Sequence, residues 1–430
     1  MPQDPLHLLC IEPSFPGRLG AVADWLVRKR GYRCRFFFAN AETPEHWPES
    51  VGKGLELVHF NVGGVAKEER VSWTRVLERG LCYAYGCWEV LEMRRPRPVD
   101  VVLGRSAGLG SALFAPIYVP GAPVVNFIDY YYHAHAHDLA DEAGPDTAVE
   151  YFHWRRAANA MDLIELEADI TPWTATEWQR NLYPREYRED FVVLHDGVDT
   201  RRFTRRTTGP RTIGGRAVPA GMRVISFVAD RLDKLRGFDR FVALANRLLR
   251  ARADVLCVAI GGAPVRRGLD VQFYNQDYGA QVLAQTPPHD PNRFWSIGSV
   301  PPGVVADLLT IADLHIYPSR PYAVARSLVE ALSAGCVVLA VDNEPVREFI
   351  THEQTGLLVN AADVDAWEKL ALQVLDRPAE FRPLADAAAG LIRNEYAQDV
   401  TLPQLAEMFE RLTAKSTKPS PSRESDSRRN

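Results

Sequence analysis

No run of 18 or more apolar residues occurs in the sequence, which leaves no candidate for a membrane-spanning helix. Positive charge is not in excess either. Fifty Lys and Arg stand against 55 Asp and Glu, a net charge of −5, so nucleic acid is excluded as a general partner and any anionic ligand needs a local basic site. Cysteine is scarce: Cys10, Cys34, Cys82, Cys87, Cys257 and Cys336 lie in mostly apolar segments without the paired spacing of a zinc site or a disulfide framework. Reduced thiols of this kind suit a cytoplasmic protein. The first apolar run, LHLLCIEP, is too short and wrongly flanked for a signal peptide, so a soluble chain is expected, a description compatible with peripheral contact at a membrane face. Beyond a recurring strand and helix rhythm there is no internal repeat.

What is present is ample core material, 46% hydrophobic over 430 residues, enough for two domains of about 200 residues each. Short apolar runs alternate with helical patterns: LHLLCIEP (6–13), RCRFFFA (33–39), LELVHFNV (55–62), VDVVLGR (99–105) and PVVNFID (123–129). A second series follows in MRVISFVAD (222–230), DVLCVAIGG (254–262), FWSIGSV (294–300), LHIYPS (314–319) and CVVLAVD (336–342). Strands of parallel sheets buried on both faces read this way, which predicts an α/β chain of two Rossmann-like domains. Between the series, TRRTTGPRTIGGRAVPAG (204–221) reads as weakly structured, and the polar tail 415–430 as disordered. The domain limits expected are 1–205 and 206–394.

In open α/β sheets, ligands gather beyond the carboxyl ends of the strands, where helix N-termini attract anions. After the first strand, Gly17 lies in a turn just before a helix and would allow close backbone approach, although turns use glycine anyway. After MRVISFVAD come Arg231, Lys234 and Arg236 beside Gly237, either a diphosphate clamp or a solvated basic turn. In PYAVARSLVEALSAG a strand end enters a helix whose N-terminus falls near 324–327, with Gly335 as its stop. Glu330 in that helix sits among Leu328, Val329, Ala331 and Leu332; it either accepts ribose hydroxyls or pairs with a local Arg.

Other residues carry open readings. His133, His135 and His137, followed by Asp138, Asp141 and Glu142, have zinc-ligand chemistry, but a place lining or covering a binding site, or simple solvation, accounts for them better. Tyr130, Tyr131 and Tyr132 alternate in an extended run, so some could stack on a ligand while others pack in the core. Trp173 and Trp178 are expected to pack, with Thr174 or Thr176 capping a helix.

The segments VVLHDGVDTRRF (192–203), VADRLDKLRGF (228–238) and PSRPYAVARSLVEALSAGCVVLAVDNEPVREFITHEQTGLLV (318–359) resemble successive signatures of the GT-B-fold retaining glycosyltransferases of glycosyltransferase family 4, also called group 1. PSFPGRLGAVADWL, DYYY and PWTATEWQRNLYP extend the resemblance through the N-terminal half. It implies two Rossmann-like domains facing each other across a cleft, acceptor on the first and nucleotide-diphosphate sugar on the second, and a last helix near 395–413 returning to the first. Arg231 and Arg236 match the basic pair on the donor diphosphate, with Ala325, Arg326 and Ser327 at the helix tip beside it. Glu330 matches the acid on the ribose, and Glu348 another acid near the donor. Gly17 matches the first loop. Tyr322 stands where the family's first motif acid is expected, and Ile128 where many relatives have His before the acid, so Asp129 would supply the polar group near the transferring sugar. Tyr130, Tyr131, His133 and His135 fall on the acceptor side. The implied reaction retains the anomeric configuration, needs no metal or other cofactor, and places Arg231, Arg236 and Asp129 in catalysis. The acceptor is a hydroxyl of a saccharide, lipid-linked glycan or small molecule. Two further readings share some residues: a donor-binding or scaffold protein that has lost catalysis with the first acid, and a metal-dependent hydrolase built on the histidine run.

Overall fold

The computed structural model describes residues 5–63, 73–94, 98–105, 108–133, 149–168, 170–262 and 277–416. Two parallel sheets organise them. The first has seven strands in the order Leu55–His59, Arg33–Phe38, His7–Ile11, Val101–Arg105, Val124–Phe127, Thr171–Thr174 and Val192–Val193. The second has six, Phe294–Ile297, Val255–Gly262, Arg223–Arg231, Leu314–Tyr317, Val337–Val341 and Leu357–Val359. Each sheet therefore runs outward from its own first strand in both directions. That leaves a switch point between His7–Ile11 and Val101–Arg105, and another between Arg223–Arg231 and Leu314–Tyr317, where strand order reverses and a crevice opens.

Side-chain alternation assigns each strand residue a face. In the first strand Leu8 and Cys10 join one core with Phe36, Leu103, Val125 and Phe127, while Leu9 and Ile11 join the other with Phe37, Val58 and Val102. The helix Leu19–Arg30 closes the first face through Val22, Trp25 and Leu26. So does the last helix, Gln398–Ser416, which leaves the second sheet and buries Leu402, Leu405, Ala406, Met408 and Phe409 in the first core. Trp25 Nε1 donates to Asp399 (3.0 Å) and the Tyr32 hydroxyl to Glu410 (3.1 Å), fixing its position. Around the second sheet, Phe238–Ala251 places Phe238, Phe241, Val242, Ala245, Leu248 and Leu249 on one stripe against the strands.

One segment differs from the sequence reading. Within 204–221, Thr212–Ile213 and Arg216–Ala217 form an antiparallel hairpin whose turn residues, Gly214 and Gly215, have φ of 53° and 81°. A two-residue Gly-Gly turn supplies the positive φ that a tight hairpin needs, and Arg216 lies 3.6 Å above the Trp295 ring. The expected disordered tail lies outside the described residues from 417 on, and Lys415 and Ser416 are helical. All six cysteines are unpaired, Cys10 and Cys34 approaching to 3.2 Å across neighbouring strands. Among the described residues no helix is long and apolar enough to cross a membrane.

Candidate active site

The carboxyl ends of the second sheet's central strands carry a basic corner. Arg231 ends its strand and shares Asp230 with Arg236, their Nε atoms 3.7 and 3.2 Å from that carboxylate. Gly237 makes the corner tight enough: its φ is 78°, and a Cβ there would meet the Pro318 carbonyl oxygen at 2.4 Å. Asp233 accepts from the Arg236 N–H (2.7 Å), and burial pushes its carboxyl up despite that guanidinium. Burial opposes the charge on Arg236, but Asp230, Tyr317, Asp233 and Tyr322 together outweigh it and raise the guanidinium above its usual range.

This corner touches the next loop. Arg236 donates to the Ala323 carbonyl (3.0 Å), two residues before Ala325, which caps the helix Arg326–Ser333. The helix start is pinned over the switch point: the Ala325 N–H donates to the Tyr317 hydroxyl (2.9 Å) and Ser327 Oγ to the Val228 carbonyl (2.7 Å). Among the described residues the N–H groups of Arg326 and Ser327 have no acceptor, as the first turn of a helix requires unless an anion supplies one. Glu330 lies one turn further, with no hydrogen bond to its carboxylate among the described residues. Burial pushes that carboxyl up to about 7 against the pull of Arg326.

Facing this corner, the first sheet presents a second polar group that the sequence reading did not single out. Glu12, fully buried at the end of the first strand, accepts from the N–H groups of Arg18 (3.0 Å) and Leu19 (2.8 Å) at a helix start and from Arg105. Gly17 makes that fold possible: its φ is 53° and a Cβ would lie 2.4 Å from the Glu12 carboxyl. Arg105 reaches on to Asp129 through Nε (2.9 Å) and Nη2 (2.6 Å), so Asp129 is oriented by a guanidinium that Glu12 holds in turn. Burial opposes the charge on Arg105, yet the two acids raise it above the usual range.

The two halves meet at Asp196. Its buried carboxylate takes Nη2 of Arg326 (2.8 Å) from one side and Nε of Arg18 (3.5 Å) from the other. Burial alone would raise the Asp196 carboxyl, but the two guanidiniums pull it below the carboxylate range. Neighbouring His195 is pushed down to about 4 by burial and, as a neutral ring, accepts the Gly197 N–H at Nδ1 (2.9 Å). The guanidiniums that meet Asp196 lie far off in sequence, so spacing gave no signal for it.

The remaining expected residues distribute as follows. Tyr322 crosses to the first half, its ring 4.3 Å from Tyr130 and its hydroxyl 3.2 Å from that of Tyr132. Tyr131 turns the other way into a core with Ile128, Tyr183 and Phe191. Nε2 of His133 meets the Leu182 carbonyl at 2.7 Å, whereas His135, His137, Asp138, Asp141 and Glu142 lie outside the described residues. Glu348 is engaged elsewhere: its carboxylate accepts the N–H groups of Trp178 (2.5 Å) and Glu177 (3.0 Å), capping the first-half helix Glu177–Leu182 from the second half. Thr176 provides the side-chain cap of that helix, and Trp173 is fully buried against Phe127. Among the described residues no three His, Cys, Asp or Glu side chains group as a metal site.

Residues 31–203 match the family model "Glycosyl transferase family 4 group" and residues 216–390 the model "Glycosyl transferases group 1". A D-inositol 3-phosphate glycosyltransferase of Thermobispora bispora is 26% identical over 233 residues, 51% of this chain and 50% of that protein. The match thus spans half the length of that relative. Its Streptomyces coelicolor counterpart is 24% identical over 362 residues, 78% of this chain and 74% of that protein. The solved sucrose-phosphate synthase of Thermosynechococcus elongatus has the same fold, with a TM-score of 0.71 at 14% identity over 95% of this chain and 100% of that one. Anabaena HepE, solved in complex with UDP-glucose, gives 0.66 at 14% identity over 94% and 100%. With two family models in the expected order and the polar corners facing each other across two Rossmann-like halves, the chain belongs to the group 1 glycosyltransferases of the GT-B fold.

Proposed function

We propose that this chain is a retaining, metal-independent glycosyltransferase that moves a sugar from a nucleotide-diphosphate sugar to an acceptor hydroxyl in the cytoplasm. One observation carries the reading: Arg231, Arg236 and the open tip of the helix Arg326–Ser333 adjoin one another at the switch point, with Glu330 one turn behind. The second half is the donor side and the first half, with Asp129 and the tyrosines, the acceptor side. A structural neighbour solved with UDP-glucose supports the donor class.

Charge explains the chemistry. As the glycosyl bond breaks, negative charge grows on the leaving diphosphate, and fixed guanidiniums together with free helix N–H groups stabilise it without reorganising. Two arginines on hand make a divalent cation unnecessary for that task. The ribose hydroxyls donate to Glu330, giving its carboxylate the partners it lacks. Retention follows when the acceptor attacks from the face the diphosphate leaves, where a departing phosphate oxygen can take the acceptor's proton. Asp129, held by Arg105, then lies on the opposite wall and favours positive charge on the sugar.

The experiment is a panel of nucleotide sugars scored by thermal stabilisation, since a ligand bound to the native state raises the melting temperature. Arg231→Ala and Glu330→Ala are expected to lose the response. Transfer with the best donor should persist in excess EDTA and give a product of the donor's anomeric configuration by NMR. Unchanged thermal response in both variants would reject the site, and an inverted product would reject retention.

A further inference from the structure

One guanidinium of the basic corner also holds the loop that spans the cleft. Nη1 of Arg236 donates to the Ala323 carbonyl (3.0 Å), and the neighbouring Tyr322 ring has its centre 5.7 Å from the same guanidinium, within range of a cation–π attraction. The loop is pinned at both ends, by the Arg320 N–H on the Leu235 carbonyl (2.9 Å) and the Ala325 N–H on the Tyr317 hydroxyl (2.9 Å). Residues 321–324 between these points are half-buried and belong to no helix or strand. Across the cleft Tyr322 meets a fixed seat. Its ring lies 4.3 Å from that of Tyr130 with 36° between the planes, and its hydroxyl 3.2 Å from that of Tyr132. Buried Asn159 grips the Tyr132 backbone twice, accepting its N–H (2.7 Å) and donating to its carbonyl (2.8 Å), while Gln179 donates to the Asp129 carbonyl (2.6 Å). Tyr322 is thus held by Arg236 on its own half and by two tyrosines on the other.

A diphosphate drawn to Arg236 acts on both of that residue's holds on the loop. A phosphate oxygen accepts a charge-assisted hydrogen bond, roughly twice as strong as one to a neutral carbonyl, so it displaces Ala323 from Nη1. It also neutralises the cation whose charge attracts the Tyr322 ring. We propose that Tyr322 is a latch between the two halves, fastened by Arg236 and released when a nucleoside diphosphate takes that guanidinium. This rests on the donor-site reading of Arg236 above and adds a conformational control to that site. Linkage fixes the sign of the effect: if the nucleotide loosens the latch, a weaker latch must tighten the nucleotide. A tyrosine that only packs, or that touches the nucleotide, gives unchanged or weaker binding when it is removed.

Calorimetric titration with UDP, GDP, ADP, CDP and dTDP reads this without an acceptor, and because these ligands carry no sugar, a ring contact with the sugar does not enter. For the nucleotide that binds the wild type, Tyr322→Ala is expected to bind about three- to tenfold more tightly, the range that loss of an aromatic pair implies. Tyr132→Phe removes the hydroxyl that meets Tyr322 and leaves the loop and Arg236 intact. It should tighten the same nucleotide about two- to threefold. Equal or weaker binding by Tyr322→Ala overturns the latch, while wild-type binding still supports the donor site. Tightening in Tyr322→Ala with none in Tyr132→Phe also overturns it, since the ring would then cover Arg236 without joining the halves. Failure of all five nucleotides to bind the wild type overturns the donor site and the proposal with it.

Discussion

Replacing Glu330 by Gln separates a binding role from a structural one, because the two predict opposite signs. Burial raises this carboxyl from 4.5 to about 7 in the folded chain, so the ligand-free fold prefers the protonated form. Stability from this group is fully present below pH 4.5 and is lost as pH rises through about 7. A shift of about 2.5 units corresponds to an upper limit of about 3 kcal/mol; partial exposure and the uncounted relaxation of an ionised group reduce this to ~1–2 kcal/mol. Gln is close in shape and stays neutral. Glu330→Gln should therefore be the more stable protein at pH 8 by ~1–2 kcal/mol, a rise of about 2–4 °C in melting temperature per kcal/mol for a domain of this size, with the gap closing by about pH 4.5. The same variant should lose most of the stabilisation that a nucleotide sugar gives the wild type. Urea unfolding from pH 4 to 8, with and without nucleotide sugar, measures both. If the variant is less stable than the wild type at pH 8, or if its advantage grows on acidification, the electrostatic reasoning fails.

Three other perturbations test the frame that holds the site. Gly17→Ala forces a Cβ to within 2.4 Å of the Glu12 carboxyl at a φ of 53°, so it should destabilise the fold by at least about 2 kcal/mol in denaturant and reduce transfer. Truncation after Ala397 strips Leu402, Leu405, Ala406, Met408 and Phe409 from the first core, of the order of 10 kcal/mol of apolar burial. The first half should then fail to unfold cooperatively in calorimetry, whereas a normal transition would show the last helix to be dispensable. Glu348→Ala removes the cap that spans the two halves; hydrogen exchange at the Glu177 and Trp178 amides should quicken about fivefold, with about 1 kcal/mol lost from overall stability.

Legibility from the sequence followed the range of the interaction. Strands of a doubly buried parallel sheet advertise themselves as continuous apolar runs, so both Rossmann-like halves could be read directly. Arg231, Arg236 and Glu330 could be singled out because strand ends and helix starts are local features; Arg231 and Arg236 share Asp230, and Arg236 reaches the loop before the helix that carries Glu330. Arg105 and Glu12 were not visible, since they meet across 93 residues, nor was Asp196, which meets Arg326 across 130. A charged residue just after an apolar strand carries no mark of its partner. Thr212–Ala217 escaped for another reason: Gly-Gly next to Arg and Thr reads as loop composition, although two successive glycines also meet the demand of a tight hairpin. Glu348 shows the converse, a motif match whose carboxylate caps a helix of the other half.

Among the described residues, Arg236, Arg326 and Arg105 have acceptors before any substrate arrives. Asp230 and the Ala323 carbonyl hold Arg236, Asp196 holds Arg326, and Glu12 and Asp129 hold Arg105. On the proposed donor reading, a diphosphate entering this site would compete with fixed internal partners, so net attraction would be smaller than a count of guanidiniums suggests, and the arginines would already be oriented when it binds. Preorganisation of this kind favours the state in which charge is greatest. The ground-state diphosphate shares the guanidiniums with Asp230 and Asp196, while the leaving group, gaining charge as the glycosyl bond lengthens, draws on the same dipoles more strongly. In the proposed reaction the acids that temper binding would serve catalysis by fixing geometry, and Asp196, which grips Arg18 of one half and Arg326 of the other, would tie that geometry to the contact between the two halves.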